Sequence, residues 1–350
     1  MEGIMGDFYT AVNHSRPARV PVVVWGPTAP FVTTMTGTQV KDYYLNSEGK
    51  LQIQQKFLRM FPEAIGMPGL WPDFGAVGLP STMGCPVIWL DDDAPVARPM
   101  LSDIKEVLTL KIPDPKVDGC LAVELKQWEY FQQHADRDLV EKYGYLDGTA
   151  YVLGPVETAG LMRGYTDFFM DLYLNPELVH KLLEINTEVA INYLHECEKI
   201  NGRLKRLAIG DHVPTQICPE HFKEFWLPYM SRIFQEFSYA EIRLWHNEGS
   251  SKHVYPFLKD LGANVWHLGD DPISDAKANV GDFFCLMGNV HPVNELVNGN
   301  YESVLAAGTK VIRDGSQGGG LWLSSGGGLA PNTPMLHLQA LIDAAKAERG

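Results

Sequence analysis

RLWHNEG, at residues 243–249, opens the stretch of sequence that decides the fold. Three similar apolar segments follow it: NVWHLGDD at 264–271, FFCLMGNVHP at 283–292 and LWLSSGGG at 321–328. Each segment has the composition of a strand flanked by turn residues, and a helix-length stretch follows each of the first three. This alternation is typical of βα units in a parallel sheet.

Polar residues stand at the ends of these predicted strands: His246, Glu248, His267, Asp270 and His291. In a closed parallel barrel, the functional groups lie at the C-terminal ends of the strands. Imidazole and carboxylate groups are ordinary ligands of zinc. The sequence therefore predicts that neighbouring strands deliver candidate metal ligands to one face of a barrel.

Upstream, the βα pattern is present but less regular. VPVVVWGP at 20–27 predicts a first buried strand, and the YVLGP and RLAIGDH stretches predict two more. Helices are expected near 47–61, 122–142, 166–200 and 219–237. The Pro- and Gly-rich segment 67–86 is expected to cover the barrel mouth, since long irregular segments are often lids.

Composition excludes several classes of function. The formal net charge of −14 argues against a nucleic-acid partner, because phosphate binding needs a basic surface. No run of 18 apolar residues indicates a membrane span, and the N-terminus lacks the basic and apolar regions of a signal peptide. The five cysteines are scattered and form no CxxC pair, which favours reduced thiols in a cytoplasmic protein.

Several long stretches resemble the uroporphyrinogen decarboxylase superfamily, which includes corrinoid-dependent methyltransferases. They include VLGPVETAGLMRGYTDFFMDLYLNPELVHKLL at 152–183, IGDHVPTQICPEHFKEFWLPYM at 209–230 and LSSGGGLAPNTPMLHLQAL near the C-terminus. The resemblance implies a distorted (β/α)8 TIM barrel with an N-terminal helical extension. We expect a single domain over 1–350, with 28–150 partly forming a lid.

The segment after the first strand separates the branches of this superfamily. The decarboxylases carry an arginine-rich loop there, whose guanidinium groups grip the acidic side chains of the substrate. The equivalent stretch here, WGPTAPFVTTMTG at 25–37, has no arginine. This favours the methyltransferase branch and argues against decarboxylation of uroporphyrinogen.

The methyltransferase branch implies zinc. By position, His246 matches the family histidine, whereas Glu248 and Gly327 stand where the coenzyme M members have cysteines. A carboxylate-containing set resembles that of relatives that open aryl methyl ethers. We therefore expect zinc ligands among four residues: His246, Glu248, Asp270 and His291.

The reaction implied by this resemblance is methyl transfer from a methoxylated, aromatic small molecule to the cob(I)alamin of a separate corrinoid protein. Zinc would stabilise the charge that develops on the leaving oxygen. We assign catalytic roles to Asp211 and Glu248, and substrate contacts to Trp25, His212 and Asn247. Trp71, Phe74 and Trp245 are further candidates for the lining of the mouth, and a homodimer is left open.

Simpler interpretations apply to the same residues. His291 could equally cap a turn before Pro292. Asp270 is also typical of a helix N-terminus, and His267 of a hydrogen-bonded core residue. Glu157 is typical of a helix start, although it could also act on a substrate. At the level of function, the alternatives are a metal-free, decarboxylase-like lyase and a non-catalytic barrel.

Overall fold

The computed structural model describes residues 3–348 and contains an eight-stranded parallel sheet. A separate antiparallel ribbon joins Val87–Ile88 (β3) to Val96–Ala97 (β4). The strands of the large sheet are β1 Val22–Gly26, β2 Ala64–Pro68, β5 Thr149–Leu153, β6 Arg206–Gly210, β7 Ile242–Asn247, β8 Val265–Leu268, β9 Cys285–Val290 and β10 Leu321–Ser325.

The sheet curls into a barrel whose strands run in the order β2-β1-β10-β9-β8-β7-β6-β5. The two end strands, β2 and β5, are not hydrogen-bonded to each other through the backbone in this order. Instead, the hydroxyl of Tyr145, just before β5, accepts a hydrogen bond from the Gly66 N–H of β2 at 2.8 Å. The predicted distorted (β/α)8 barrel is confirmed, and this seam is its distortion.

Helices surround the barrel. The α-helices are α1 Ile4–Val12, α2 Ala29–Thr36, α3 Val40–Leu45, α4 Ser47–Met60, α5 Gly78–Thr82, α6 Gly119–His134, α7 Arg137–Tyr143, α8 Pro155–Arg163, α9 Tyr165–Leu174, α10 Pro176–Asn201, α11 Pro219–His221, α12 Leu227–Glu236, α13 Ile273–Val280, α14 Tyr301–Gly315 and α15 Met335–Ala347. Segments of 3-10 helix span Ile104–Thr109, Val213–Gln216 and Lys252–Asp260, and a π-helical turn spans Phe222–Trp226.

Most predicted elements are present with shifted ends. The helix expected over 122–142 is two helices, α6 and α7, because the chain is extended at Ala135 and Asp136. The helix expected over 219–237 contains the π-helical turn in its middle. The short strand β2 was not predicted, since AIGMP carries glycine and proline and lacks an alternating pattern.

Helix α1 closes the N-terminal end of the barrel. The ring of Phe8 stacks on Trp322 of β10 with centroids 4.1 Å apart, and the Trp322 indole N–H donates to the Phe8 carbonyl at 3.1 Å. Apolar side chains from both sides of the sheet form one continuous buried core. The C-terminal end of the barrel is consequently the face left for chemistry.

Two further expectations can be compared with the structure. All five cysteines are free thiols, and four of them are buried, as the absence of a disulfide framework predicted. Among residues 3–348, no helix combines the length and apolar character needed to cross a bilayer.

Candidate active site at the C-terminal barrel face

Two histidines and a carboxylate form a row at the C-terminal ends of β7 and β8. His246 and His267 are register partners on these strands, and their Nδ1 atoms lie 2.8 Å apart. The Nε2 of His246 faces Glu248 Oε1 at 3.5 Å. Both rings are buried, whereas the Glu248 side chain is 49% exposed, so the row runs from the barrel interior to the surface.

The hydrogen bonds around His267 determine where its proton lies. Its Nε2 is 3.2 Å from the Gly327 N–H and 3.0 Å from the Ser325 carbonyl oxygen. Burial, followed by the neighbouring His246, lowers the pKa of His267 to about 3. A neutral ring holds one proton, so Nε2 either accepts from Gly327 or donates to Ser325.

The arrangement in which His267 Nε2 accepts a hydrogen bond from the Gly327 N–H satisfies more hydrogen-bonding groups. It leaves the proton on His267 Nδ1, which donates to His246 Nδ1, and His246 then directs its Nε2–H to Glu248. The opposite choice would leave the Gly327 N–H without an acceptor and set a bare imidazole nitrogen against a carboxylate. An unpaired buried N–H is more costly than a carbonyl with a spare lone pair. We therefore assign the proton chain that runs towards Glu248.

Burial also lowers the pKa of His246, which keeps this ring neutral. Burial alone would raise the pKa of Glu248, but the facing His246 and the Gly328 N–H, 3.0 Å from Oε1, hold it well below its usual range. The row is therefore a neutral histidine pair ending in an ionised carboxylate.

Gly327 lets Glu248 sit in this position. Its φ is +130°, a conformation that side-chain-bearing residues rarely adopt, and an added Cβ would lie 2.5 Å from Glu248 Oε1. Gly327 belongs to the glycine run 326–328. Its backbone N–H groups also bind His267 and Glu248.

A second cluster lies at the ends of β5 and β6. Asp211 is fully buried, and its carboxylate accepts from the Glu157 N–H at 2.9 Å, the Val213 N–H at 3.2 Å and the Trp226 indole at 2.9 Å. The π-helical turn that ends at Trp226 places this indole, and π-helical turns are frequent at functional sites. Burial, and then the charge of Glu157, raise the pKa of Asp211 to about 7.

Glu157 links this cluster to His212. One of its oxygens accepts from the His212 N–H at 2.7 Å and faces the His212 Nδ1 at 3.5 Å, and the other accepts from the Tyr165 hydroxyl. Burial opposes these interactions, but they lower the pKa of Glu157 and raise that of His212. The His212 side chain is 35% exposed, so an imidazole whose charged form is favoured by Glu157 lies at the surface of the mouth.

The two clusters meet over an aromatic floor. The rings of His212 and His246 are 5.2 Å apart and perpendicular, and His246 stacks on Trp25 with centroids 4.3 Å apart. Trp25 in turn contacts Trp71 and Tyr151, at centroid distances of 6.1 and 5.9 Å. Trp25 is buried beneath the histidines, where its role is to support their rings.

The structure brings together only part of the predicted site. His246, Glu248, Asp211, His212 and Trp25 lie in the two clusters or beneath them. Asp270 and His291 do not join a ligand group: Asp270 is exposed, and His291 caps a turn, its Nδ1 accepting from the Val293 and Asn294 N–H groups at 3.1 and 3.0 Å.

Three aromatic or polar candidates are also buried away from the surface of the mouth. Asn247 accepts from the Gly249 N–H at 3.1 Å and donates to the Ser251 hydroxyl at 2.8 Å, so it shapes a turn. Trp245 is fully buried, stacks on Trp266 and donates to the Asp211 carbonyl at 3.2 Å. Phe74 packs with Tyr44 and Trp89 outside the two clusters.

The predicted zinc set does not fit this arrangement. In the assigned proton chain, His246 has no free nitrogen for a metal, because Nδ1 accepts from His267 and Nε2 carries the proton directed to Glu248. Over residues 3–348, no three His, Cys, Asp or Glu side chains are grouped so that they could hold a metal ion. A catalytic zinc site typically has three protein ligands.

His267, Glu157 and Tyr165 contribute contacts to the two clusters that their positions in the sequence did not indicate. His267 was expected to be hydrogen-bonded packing, which it is, but its partner is His246. His246, in WHN at 245–247, and His267, in WHL at 266–268, lie near the ends of neighbouring strands, and only the register that pairs them shows that both rings enter one site.

Comparisons with known proteins agree with this architecture. The family profile described as Uroporphyrinogen decarboxylase (URO-D) matches residues 5–348. A methylated-thiol–coenzyme M methyltransferase from Methanosarcina mazei is 22% identical over 286 residues, covering 81% of this chain and 74% of that protein. A uroporphyrinogen decarboxylase from Thioalkalivibrio sulfidiphilus is 26% identical over 282 residues, covering 76% and 75%.

Solved structures show the same fold. A methyltransferase from Methanosarcina mazei superposes with a TM-score of 0.79 at 20% identity over 99% of both chains. A B12-independent methionine synthase from a Shewanella species gives a TM-score of 0.56 at 11% identity over 95% of both chains. At these identities the structural likeness establishes the fold alone.

Proposed function

The chain belongs to the uroporphyrinogen decarboxylase family, and from that premise we propose that it is a methyltransferase that takes a methyl group from a methoxylated aromatic compound and passes it to a corrinoid carried by a partner protein. The observation that carries the proposal is the pairing of His212 with Glu157 at the barrel mouth, which raises the pKa of this histidine. The arginine-free segment 25–37 and the methyltransferase relative add support.

His212 supplies the proton that the leaving group needs. Its Nδ1 faces Glu157, so Nε2 is the nitrogen that turns away towards a bound substrate. When the methyl–oxygen bond breaks, the electron pair stays on oxygen, and His212 delivers a proton there, so that the product leaves as a phenol. General acid catalysis of this kind contributes about 10²–10⁴-fold to a rate.

The remaining groups hold this acid and orient the substrate. Glu157 favours the charged form of His212, and the Tyr165 hydroxyl and the backbone N–H of His212 hold the Glu157 carboxylate in place. Glu248, ionised and half exposed, lies on the other side of the His246 ring and accepts a hydrogen bond from a donor group of the substrate. Holding the methyl donor in this fixed geometry supplies the positioning part of catalysis.

The corrinoid, when presented by its partner, would supply the nucleophile that accepts the methyl group. It remains a cofactor of that partner, and no residue of this chain is assigned as its ligand. Zinc is left out of the proposed reaction, because the His246 and Glu248 pair is committed to hydrogen bonds and Asp270 and His291 lie elsewhere.

The test is methyl transfer to free cob(I)alamin, followed by its absorbance change, with a panel of methoxylated phenols, methyl thioethers and methanol as donors. Thioethers are included because the Methanosarcina mazei relative is named for methylated thiols. We expect turnover with a methoxylated phenol and a loss of at least about 10²-fold in His212→Gln, which keeps a polar side chain but cannot donate a proton in this way.

The matched control is His253→Gln. His253 lies on the same face, but its Nε2 is 3.0 Å from the carbonyls of Pro214 and Ile217, so it serves the loop. Full activity of the His212 variant would refute the proposed acid. Absence of transfer from every donor would remove the methyltransferase proposal and favour the lyase or the non-catalytic barrel.

A further inference from the structure

A second cleft lies at the opposite, N-terminal end of the barrel. It encloses about 580 Å³ between helix α1, the turn from α7 to β5, and the starts of β6 and β7. Its lining includes Tyr9, Lys142, Tyr143, Asp147, Lys205 and Arg206. None of these residues belongs to the proposed reaction.

Arg206 is the unusual residue of this cleft. It is only 2% exposed, and its Nε and Nη2 donate to the Tyr9 hydroxyl at 3.2 and 3.0 Å. Its Nη1 is buried and has no hydrogen-bond partner among residues 3–348. The other nitrogens bind a hydroxyl, so the guanidinium has no carboxylate partner among the described residues. A buried cation in that state is strongly unfavourable unless a partner arrives.

Gly144 keeps the cleft wall close to this guanidinium. Its φ is +66°, and a Cβ at this position would lie 2.9 Å from Arg206 Nη2. The rings of Phe8 and Tyr9 cover the guanidinium from the other side, with their centroids 5.4 and 5.6 Å from Cζ. The site is therefore built around Arg206, because helix α1 and the α7–β5 turn both fit against it.

The other charges of the cleft limit what it can bind. Lys205 is already paired with Asp147 at 2.6 Å, and the Lys142 ammonium lies 4.8 Å from the Tyr143 ring centroid. Glu141 and Glu241 also line the cleft and would repel a ligand of high negative charge. Among the described cations that line the cleft, Lys142 and Arg206 have no carboxylate partner, and only Arg206 is buried, so a ligand with a single negative charge matches it.

We propose that this cleft binds a small organic carboxylate: an apolar or aromatic body with one carboxylate group. One carboxylate oxygen accepts from Arg206 Nη1, which a rotation of the guanidinium must bring to the cleft surface, and the body packs against Ile4, Met5 and Tyr143. A volume of this size is within the range of small-molecule sites. The site is separate from the proposed methyl-transfer site, since it lies at the other end of the strands.

The test uses benzoate as the probe, with benzyl alcohol as its uncharged counterpart and inorganic phosphate as a compact anion. Binding is measured by calorimetry and by the shift of the thermal unfolding temperature. We expect benzoate to bind more tightly than either control compound. Arg206→Met should weaken benzoate at least about tenfold, as expected when a charge-assisted hydrogen bond is lost.

Tyr9→Phe is a second variant, and it should change the affinity for benzoate in the opposite direction. It removes the hydroxyl that occupies Nε and Nη2, leaving the guanidinium fork free for a two-point carboxylate contact, so benzoate should bind a few-fold more tightly. Arg313→Met, at an exposed arginine on α14, is the control and should not change binding. The proposal is refuted if benzoate fails to bind the wild-type protein. It is also refuted if Arg206→Met leaves the affinity for benzoate unchanged. Where Arg206→Met does not fold, an unchanged affinity in Tyr9→Phe refutes it.

Discussion

Replacing Gly327 by alanine changes the proposed active site by one methyl group. The new Cβ would lie 2.5 Å from Glu248 Oε1 and 2.7 Å from its Cδ, distances that real structures do not show. The φ of +130° adds backbone strain, which costs about 1–3 kcal/mol for a residue with a side chain. Glu248 must therefore move, and it loses its bonds to the Gly328 N–H and the His246 ring.

The free-energy costs of the backbone strain and of the steric contact with Glu248 do not add in full. Glu248 is half exposed and can rotate into solvent, which relieves the contact. We therefore expect the free energy of unfolding to fall by about 1–3 kcal/mol, mainly from the backbone. For a chain of this size, that lowers the unfolding temperature by about 2–4 °C per kcal/mol. Methyl transfer should fall about 10²-fold, as for a misplaced positioning group.

Gly328→Ala is the matched control. A Cβ there would meet its nearest neighbours, the Thr28 hydroxyl and the Trp25 ring, at 3.8 and 3.9 Å, which is ordinary contact. Both variants are assayed by thermal unfolding and by methyl transfer to cob(I)alamin. Equal losses in the two variants, or full activity in Gly327→Ala, would contradict the role assigned to Glu248.

Three further predictions follow from the same structure. Asp270→Ala and His291→Ala should keep wild-type metal content and activity, because neither side chain joins His246; loss of bound zinc by elemental analysis in either variant would reinstate the predicted ligand set. Burial raises the pKa of Glu124 from 4.5 to about 8, so the folded protein retains a proton that the unfolded chain releases, and stability falls as pH rises through that window. Glu124→Gln should therefore be more stable than wild type at pH 8 in urea unfolding, and an unchanged pH dependence would contradict this. Uroporphyrinogen should not be decarboxylated, since segment 25–37 offers no arginine for its carboxylates, and turnover detected by product chromatography would show that the charge argument is wrong.

The barrel was predictable because its strands are buried on both sides and therefore appear as continuous apolar runs. β1, β5, β6 and β7–β10 all follow from that pattern, and the profile match confirms the family that the motifs resembled. β2 was missed because glycine and proline obscure its pattern, although its backbone pairs with β1 throughout. Pairing with a neighbour, which a local pattern cannot show, forms this strand.

The site was predictable only where residues share a strand end. The spacing of His246 and Glu248 suggested a shared site, and the two side chains lie 3.5 Å apart, whereas Asp270 was chosen over its neighbour Asp271. In the structure Asp271 is the buried one, and it accepts from the Ser251 N–H and the Tyr255 hydroxyl, both at 2.9 Å. Two adjacent aspartates at a strand end look alike in sequence. The direction of the turn after β8 decides which one enters the protein.

The glycine run 326–328 explains why only one of the three histidines in the site, His212, should exchange a proton with the substrate. Gly327 donates a backbone N–H to His267, and an amide does not titrate in the pH range of proteins, so it fixes the proton pattern of His267 and His246. Burial lowers the pKa of both rings, to about 3 for His267, which favours their neutral forms. His212 is different, because Glu157 raises its pKa. The alkaline limb of an activity profile should therefore follow His212, and it should shift to lower pH in Glu157→Gln, which removes the charge that favours the imidazolium.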